Sequence, residues 1–322
     1  MCGIVAYLGK KEAYPILLKG LKRLEYRGYD SAGVALINED LLIYKKQGKV
    51  SNLEEHAKGK PTNAFIGIGH TRWATHGAPN DLNAHPHASG DGRLVLVHNG
   101  IIENYASLKE ALEKEGHTFS SETDTEVLVH LIEEVQKREN LSLEESVRLA
   151  LTRVVGAYAI VVMDKNDPEK LVAAKKGSPL VIGIGKDEDF FVASDATPLI
   201  EYTNRVIYLQ EEEVAVMIKK NHSLGIKTLK NEVQTPFIHE LDMQIETIEK
   251  GGYEHFMLKE IHEQPKTIAD CMRGRVSAEE GWIKMAGIEE FAENFAKANR
   301  IIIVACGTSW HSALIAEYLF ED

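Results

Sequence analysis

Met1-Cys2-Gly3-Ile4-Val5 opens the chain, and its meaning turns on whether Cys2 becomes the first residue. Cys is small, which favours removal of Met1. Removal leaves one residue that carries both a thiol and a free α-amine. An α-amine titrates at about 7.7–8.0 and a thiol at about 8.5, so the amine can take the thiol proton near neutral pH, directly or through one water. Pairing with an N-terminal amine is one way a weak nucleophile is activated. The alternative is that Cys2 is a small hydrophobe at the head of a buried strand. Position alone favours that alternative; the loops downstream reverse the preference.

The 322 residues suffice for one large domain and part of a second. Hydrophobic residues make up 44% and charged residues 27%, an ordinary composition for a soluble protein. The net charge of −12, with no basic cluster, argues against a sequence-independent nucleic-acid binder. Cys2, Cys271 and Cys306 are far apart, odd in number and free of any CxxC pair. That pattern fits a reducing cytoplasm and no disulfide framework. Ile4–Leu8 is too short for a signal-peptide core, and no apolar stretch approaches the roughly 18 residues of a membrane span. Neither secretion nor membrane insertion is expected.

Working outward from Cys2, short apolar runs bounded by Gly, Asn or charge predict strands. They are Ile4–Leu8, Ala32–Ile37, Leu41–Tyr44, Ala64–Ile68, Leu94–His98, Ala157–Met163, Leu180–Ile184, Phe190–Ala193 and Val214–Ile218. Apolar residues at helical spacing predict helices over Tyr14–Leu24 and Thr125–Lys137. Ser142–Glu145 reads as a capping box opening a third helix, Leu143–Val155. Grouped strands with inserted helices point to antiparallel sheets flanked by helices rather than a regular βαβ alternation. The texture changes near Pro236, and a boundary is expected at 236–242. Beyond it, Tyr253–Met272 (interrupted at Pro265) and Ile288–Ala298 read as helices, Arg300–Ala305 as a buried strand, and the residues to Asp322 as another helix. One parallel strand cannot stand alone. The tail is therefore expected to be a truncated domain or to lean on a partner.

Four loops carry the chemistry. Gly69–Gly77 gathers two His, an Arg, a Trp and two Thr, donors that are costly to bury without a ligand. The planar fork of Arg72 suits a carboxylate, although a solvated loop with a structural Trp remains open. Asn99-Gly100 offers a side-chain amide and a backbone N–H to one oxygen, as an oxyanion hole requires; the same dipeptide is the commonest hairpin turn. Ser121–Glu126 either caps a helix or supplies a carboxylate to an ammonium. Arg27–Gly33 is either a supporting loop or a structural turn. His70, His76, His85, His87 and His98 lack zinc-site spacing, so no metal is expected there and the imidazoles are read as hydrogen-bonding around the site. Cys306-Gly-Thr-Ser309, opening a helix, has the makings of an anion site.

Taken in order, Met1–Val5, Glu25–Gly33, His70–Gly77, Asn83–His87, His98–Asn104 and Ser121–Glu126 resemble the glutamine–fructose-6-phosphate aminotransferase (glucosamine-6-phosphate synthase) family, over about 1–240. His255–Pro265 extends the match, and Cys306–Ser309 resembles the first phosphate loop of that family's sugar-isomerase (SIS) domains. The resemblance implies an α+β fold, a four-layer α/β/β/α sandwich of two antiparallel sheets of the N-terminal-nucleophile hydrolase type. A partial, SIS-like α/β segment would follow. The implied domains are a glutaminase domain at 1–240 and, at 241–322, a linker with the start of an isomerase domain. By that resemblance Cys2 attacks the glutamine amide, and Asn99 and Gly100 hold the oxyanion. Arg72 and Asp124 take the α-carboxylate and α-ammonium, Trp73, Thr75 and His76 line the pocket, and Arg27 supports it. Thr308 and Ser309 would touch a sugar phosphate. No metal or organic cofactor is implied. The implied partners are glutamine, fructose 6-phosphate in a full-length parent, and a second copy joined through the isomerase half. The chain is expected to hydrolyse glutamine without making glucosamine 6-phosphate. Two other readings stand beside this one. The first is a glutaminase domain of the amidophosphoribosyltransferase, asparagine synthetase or glutamate synthase type, which the Cys306–Ser309 loop disfavours. The second is a non-catalytic sugar-phosphate-binding protein, which leaves Cys2 without a role.

Overall fold

In the computed structural model, which describes residues 2–74, 77–187, 189–241, 252–277, 281–284 and 291–321, the chain divides into two compact units, Met1–Glu249 and Lys250–Asp322. The first unit runs β1 (Gly3–Leu8), α1 (Ala13–Leu24), β2 (Ser31–Ile37), β3 (Leu41–Gln47), α2 (Val50–Ala57), β4 (Ile66–Arg72), β5 (His87–Ala88) and β6 (Leu94–Ile102). It continues through α3 (Tyr105–Lys114), α4 (Asp124–Glu139), α5 (Leu143–Leu151), β7 (Gly156–Asp164), β8 (Lys170–Lys176), β9 (Val181–Ile184) and β10 (Phe190–Ala193). It ends with β11 (Arg205–Tyr208), β12 (Glu213–Ile218), β13 (Ser223–Thr228), β14 (Val233–Gln234) and β15 (His239–Glu240). Among the described residues these strands make an eight-stranded sheet, β15-β11-β9-β10-β1-β4-β2-β3, and a seven-stranded sheet, β14-β13-β12-β8-β7-β6-β5. Neighbouring strands in both are antiparallel.

The period-2 alternation of side chains explains the layering. Ile4, Ala6 and Leu8 of β1 meet Ala159, Val161 and Met163 of β7 in a core between the sheets. Val5 and Tyr7 point the other way, onto Leu17 and Leu21 of α1. Tyr158, Ile160 and Val162 likewise back onto Leu128, Ile132 and Val147 of α4 and α5. Two sheets buried on both faces, with helices outside, make the four-layer α+β sandwich. A cut such as Leu21→Ala in so closed a layer costs about 2–5 kcal/mol.

Several local expectations are corrected. Ser142 is the N-cap of α5, but its side chain makes no capping bond. The carboxylate of Glu145 is drawn instead to Arg148 (2.8 Å) and Lys227 (3.2 Å). The side-chain cap that does form is at α4, where Thr123 accepts from the Glu126 N–H. Strands β8, β11 and β13 and helices α2 and α3 add to the predicted elements.

The second unit holds α6 (Phe256–Met272), β16 (Val276–Ser277), β17 (Trp282–Ile283), α7 (Ala292–Lys297) and α8 (Thr308–Glu321). Helix α6 runs through Pro265 rather than breaking there; the proline removes one backbone donor but the turns on either side persist. Residues 300–305 are not a strand and lie exposed. An isolated parallel strand has no ladder to join, so the apolar run alone does not make one. Of the helix expected over Ile288–Ala298, residues 288–290 lie outside those described, and Ala292–Lys297 form α7. Among the described residues no helix is long and apolar enough to cross a membrane.

Candidate active site

Antiparallel pairing of β1 with β4 sets Gly3 opposite Thr71, which brings Cys2 beside the end of β4. Gly3 is needed for this approach: a Cβ there would lie 2.6 Å from Thr71 Oγ1 and 2.7 Å from Leu24 Cβ. The Cys2 Sγ accepts the Trp73 N–H at 3.2 Å and donates to the Trp73 carbonyl at 3.6 Å. Burial pushes the thiol above its ordinary value, opposed by the Trp73 N–H and the Arg72 charge. The thiol is thus protonated at neutral pH and needs a base to become a nucleophile.

Asn99-Gly100 is not a turn. Strand β6 continues to Ile102, with Asn99 opposite Ala159 and Gly100 opposite Tyr158. Gly100 has φ of 137°, and a Cβ would fall 2.0 Å from the Ala157 carbonyl oxygen, so only glycine fits. The Asn99 Nδ2 donates to the Cys2 carbonyl at 3.0 Å, and its Oδ1 lies 2.9 Å from His70 Nε2. An amide nitrogen has two hydrogens, so the same group can face a second acceptor beside Cys2.

Arg72, the last residue of β4, is 4% exposed and reaches the carbonyls of Ala78 (3.4 Å) and Gly77 (3.3 Å). Asp124 opens α4, is equally buried, and accepts the Ile102 N–H at 2.8 Å. Arg27 pairs with Asp195 at 2.5 Å. Trp73 is half-exposed and meets Tyr29 edge to face, with centroids 5.5 Å apart. Cys2, Arg27, Arg72, Trp73, Asn99, Gly100 and Asp124 all line one cavity of about 300 Å³, a volume at the lower end for small-molecule sites. Thr75 and His76 lie outside the described residues. Thr308 and Ser309 begin α8 in the second unit and are exposed.

His70, His85, His87 and His98 form a buried hydrogen-bonded group. His70 Nε2 faces two acceptors, Asn99 Oδ1 and the His98 carbonyl (3.0 Å), so that nitrogen carries the proton. His85 stacks on His70 with centroids 4.2 Å apart. Thr125 Oγ1 lies 2.8 Å from His85 Nε2 and 3.0 Å from His98 Nδ1, and His87 Nε2 is 3.2 Å from Thr123 Oγ1. Burial drives His70 down to about 3, and holds His85 and His87 well below their ordinary range. His70, His85 and His87 are thus neutral imidazoles that hydrogen-bond to hydroxyl, amide and carbonyl partners.

Local sequence reading missed other parts of the wall. Asp30 accepts the Ala74 N–H at 2.8 Å and so fixes the loop after Trp73; the acidic residue within Arg27–Gly33 was its only signal. Ser194 lines the cavity and accepts the Ile4 N–H at 3.1 Å. Ser178 and Pro179 line it too. Each comes from a distant strand end with no motif around it.

Known proteins supply an independent comparison. The profile of the glutamine amidotransferase domain family matches residues 49–254. A glutamine–fructose-6-phosphate aminotransferase (isomerizing) of Bacteroides thetaiotaomicron is 55% identical over all of this chain and 52% of its own length. That of Chlorobaculum tepidum is 54% identical over all of this chain and 53% of its own. This chain thus spans about half the length of the curated relatives it matches. Among solved structures, the glutamine phosphoribosylpyrophosphate amidotransferase of B. subtilis, complexed with ADP and GMP, superposes with a TM-score of 0.61 at 27% identity. It covers 72% of this chain and 50% of that one. With a two-sheet sandwich, a cysteine at its mouth and a profile match over most of the first unit, the chain belongs to the glutamine amidotransferase domain family.

Proposed function

We propose that residues 1–240 hydrolyse the side-chain amide of glutamine to glutamate and ammonia, with Cys2 as nucleophile once Met1 is removed. The observation that carries this reading is the convergence of Cys2, Asn99, Arg72 and Asp124 on one cavity. A zwitterionic amino acid needs one cation and one anion, and an amide needs a nucleophile and oxyanion donors. The freed Cys2 α-amine takes the thiol proton as Sγ bonds to the amide carbon. The carbonyl π electrons move to oxygen, where Asn99 Nδ2–H and Gly100 N–H hold the charge. The protonated amine then gives its proton to the departing nitrogen, and ammonia leaves the thioester. Water, deprotonated by the same amine, attacks the thioester, and glutamate departs as Cys2 regains its proton. Arg72 receives the α-carboxylate and Asp124 the α-ammonium. Trp73, Thr75 and His76 border the substrate, and Arg27 supports the pocket.

The names of the full-coverage relatives favour an ammonia-supplying role in glucosamine-6-phosphate synthesis over that of a phosphoribosyl-type amidotransferase. In that role 241–322 is the linker and start of an isomerase domain, with Thr308 and Ser309 toward the phosphate of fructose 6-phosphate. The parent is a cytoplasmic homodimer joined through its isomerase half. By itself this chain releases glutamate and makes no glucosamine 6-phosphate.

The test combines intact mass with glutamate release, for this chain and for Cys2→Ala. Loss of one methionine together with Cys2-dependent release is expected. A processed chain that never turns over glutamine would overturn the catalytic reading, and glucosamine 6-phosphate from this chain alone would overturn the division of labour.

A further inference from the structure

His117 lies between α3 and α4, and His130 and Glu133 stand three residues apart on α4, on one helical face. His117 Nδ1 is 2.9 Å from His130 Nδ1. Glu133 Oε2 is 3.6 Å from the former and 4.0 Å from the latter. Two ligand atoms, each about 2.1 Å from a tetrahedral ion, lie about 3.4 Å apart, and the three observed separations bracket that value. The outer nitrogens are the second observation. His117 Nε2 is 3.0 Å from Glu134 Oε2, and His130 Nε2 faces Glu126 Oε1 at 4.0 Å. The Glu134 carboxylate behind His117 turns the lone pair of its inner nitrogen toward the gap, the arrangement that orients histidines at metal centres; Glu126 stands behind His130 beyond hydrogen-bond distance. Glu133 is fully buried and held by the N–H groups of Gly90 (3.1 Å) and Asp91 (3.0 Å) and by Lys137 (2.8 Å). Lys137 and the Asp91 N–H occupy Oε1 and the Gly90 N–H takes one lone pair of Oε2, which leaves Oε2 a second lone pair for an ion.

We propose that His117 Nδ1, His130 Nδ1 and Glu133 Oε2 bind one divalent transition ion of the zinc class, with water as the fourth ligand. Imidazole and carboxylate donors suit zinc and its neighbours in the first row. Across 2.9 Å one Nδ1 must donate a proton to the other when no ion is present, so binding requires that proton to leave Nδ1, either to solvent or to the outer nitrogen of the same ring. The ion would tie the segment that leads to Asp124 onto the second and third turns of α4. This site is separate from the Cys2 cavity, and its test does not depend on glutamine turnover.

The full chain is titrated with Zn²⁺ by calorimetry and with Co²⁺ by visible absorption, beside His117→Gln and His130→Gln. One bound equivalent is expected, with tetrahedral Co²⁺ bands and no thiolate charge-transfer band. Each variant should bind at least ~10-fold more weakly and lose the Zn²⁺-dependent rise in urea midpoint that ligand binding to the native state produces. Sub-stoichiometric binding, a thiolate band, or equal affinity in the variants would overturn the proposal. His117 is partly exposed on a loop, so if His130→Gln fails to fold, His117→Gln decides alone.

Discussion

Two groups of histidines lie along α4, and they are built in opposite ways. At its first turn, His85 and His98 share the Thr125 hydroxyl while His70 turns to Asn99. The hydrogen-bond partners there are hydroxyls, an amide and backbone carbonyls, with the Asp124 carboxylate 4.0 Å from His98 Nδ1, and the rings His70 and His85 each keep a buried Nδ1 with no hydrogen-bond partner. At the second and third turns, His117 and His130 are ringed by Glu126, Glu133 and Glu134. Burial disfavours the charged form of His70, His85 and His87 in the first group, and their partners fix directions of donors; in the second group carboxylates stand close enough to the ring nitrogens to share a cation with them. The same residue type on the same helix thus serves orientation in one place and ligation in the other.

The comparison breaks most sharply at Asn99, the residue the first group orients. Asn99→Ala should lower kcat for glutamine hydrolysis by about 10²–10³-fold with the circular dichroism unchanged; a loss below tenfold would leave the first group with no catalytic client. His70→Leu comes next. It removes the N–H that fixes the Asn99 amide, and a misplaced donor costs about 10–10²-fold. The loss should fall on kcat more than on KM, and His70→Gln, which can again present an N–H, should recover part of it. A purely structural role would lower the urea midpoint and leave that split unmoved.

Acid should destabilise the protein through the first group. The folded-state values of His70, His85 and His87 are depressed, so the unfolded chain binds protons first. Their contribution is fully present above about pH 6.5, the ordinary histidine value, and is lost as pH falls toward about 3 for His70. The slope is up to about 1.4 kcal/mol per pH unit for each group, read as urea midpoints between pH 7 and pH 4. A flat profile would mean the rings already carry charge when folded. The smallest effect is expected at His117 without metal: His117→Gln should cost about 1–2 kcal/mol, since the ring gives up its hydrogen bonds to His130 and Glu134 and the glutamine amide can replace one of them. A larger loss in metal-free protein would make the second group structural in its own right.

Legibility in the sequence followed how local each cause was. Alternating apolar residues in β1 and β7 mark both faces of a doubly covered strand, and the core follows them. Helix α2 buries only Val50, Leu53 and Ala57, and α3 only Leu112, too few for a clear helical period. At 300–305 the apolar run satisfies every local rule for a strand, yet no partner ladder is there to hold it. Glu145 satisfies the capping pattern and is taken by Arg148 and Lys227, the second of them 82 residues away.

Residue types and motif order carried the resemblance that singled out Cys2, Arg72, Asp124 and the Asn99-Gly100 pair, and the strand runs pointed to antiparallel sheets flanked by helices. Each rests on a residue type or a period that neighbours in the chain supply. Tertiary structure decided that Asn99-Gly100 continues a strand instead of turning, because β7 pairs with it. It also decided that Ser178, Pro179 and Ser194 complete the cavity, and that His117 meets His130. Those outcomes depend on contacts between segments far apart in sequence, where long-range pairing outweighs local preference.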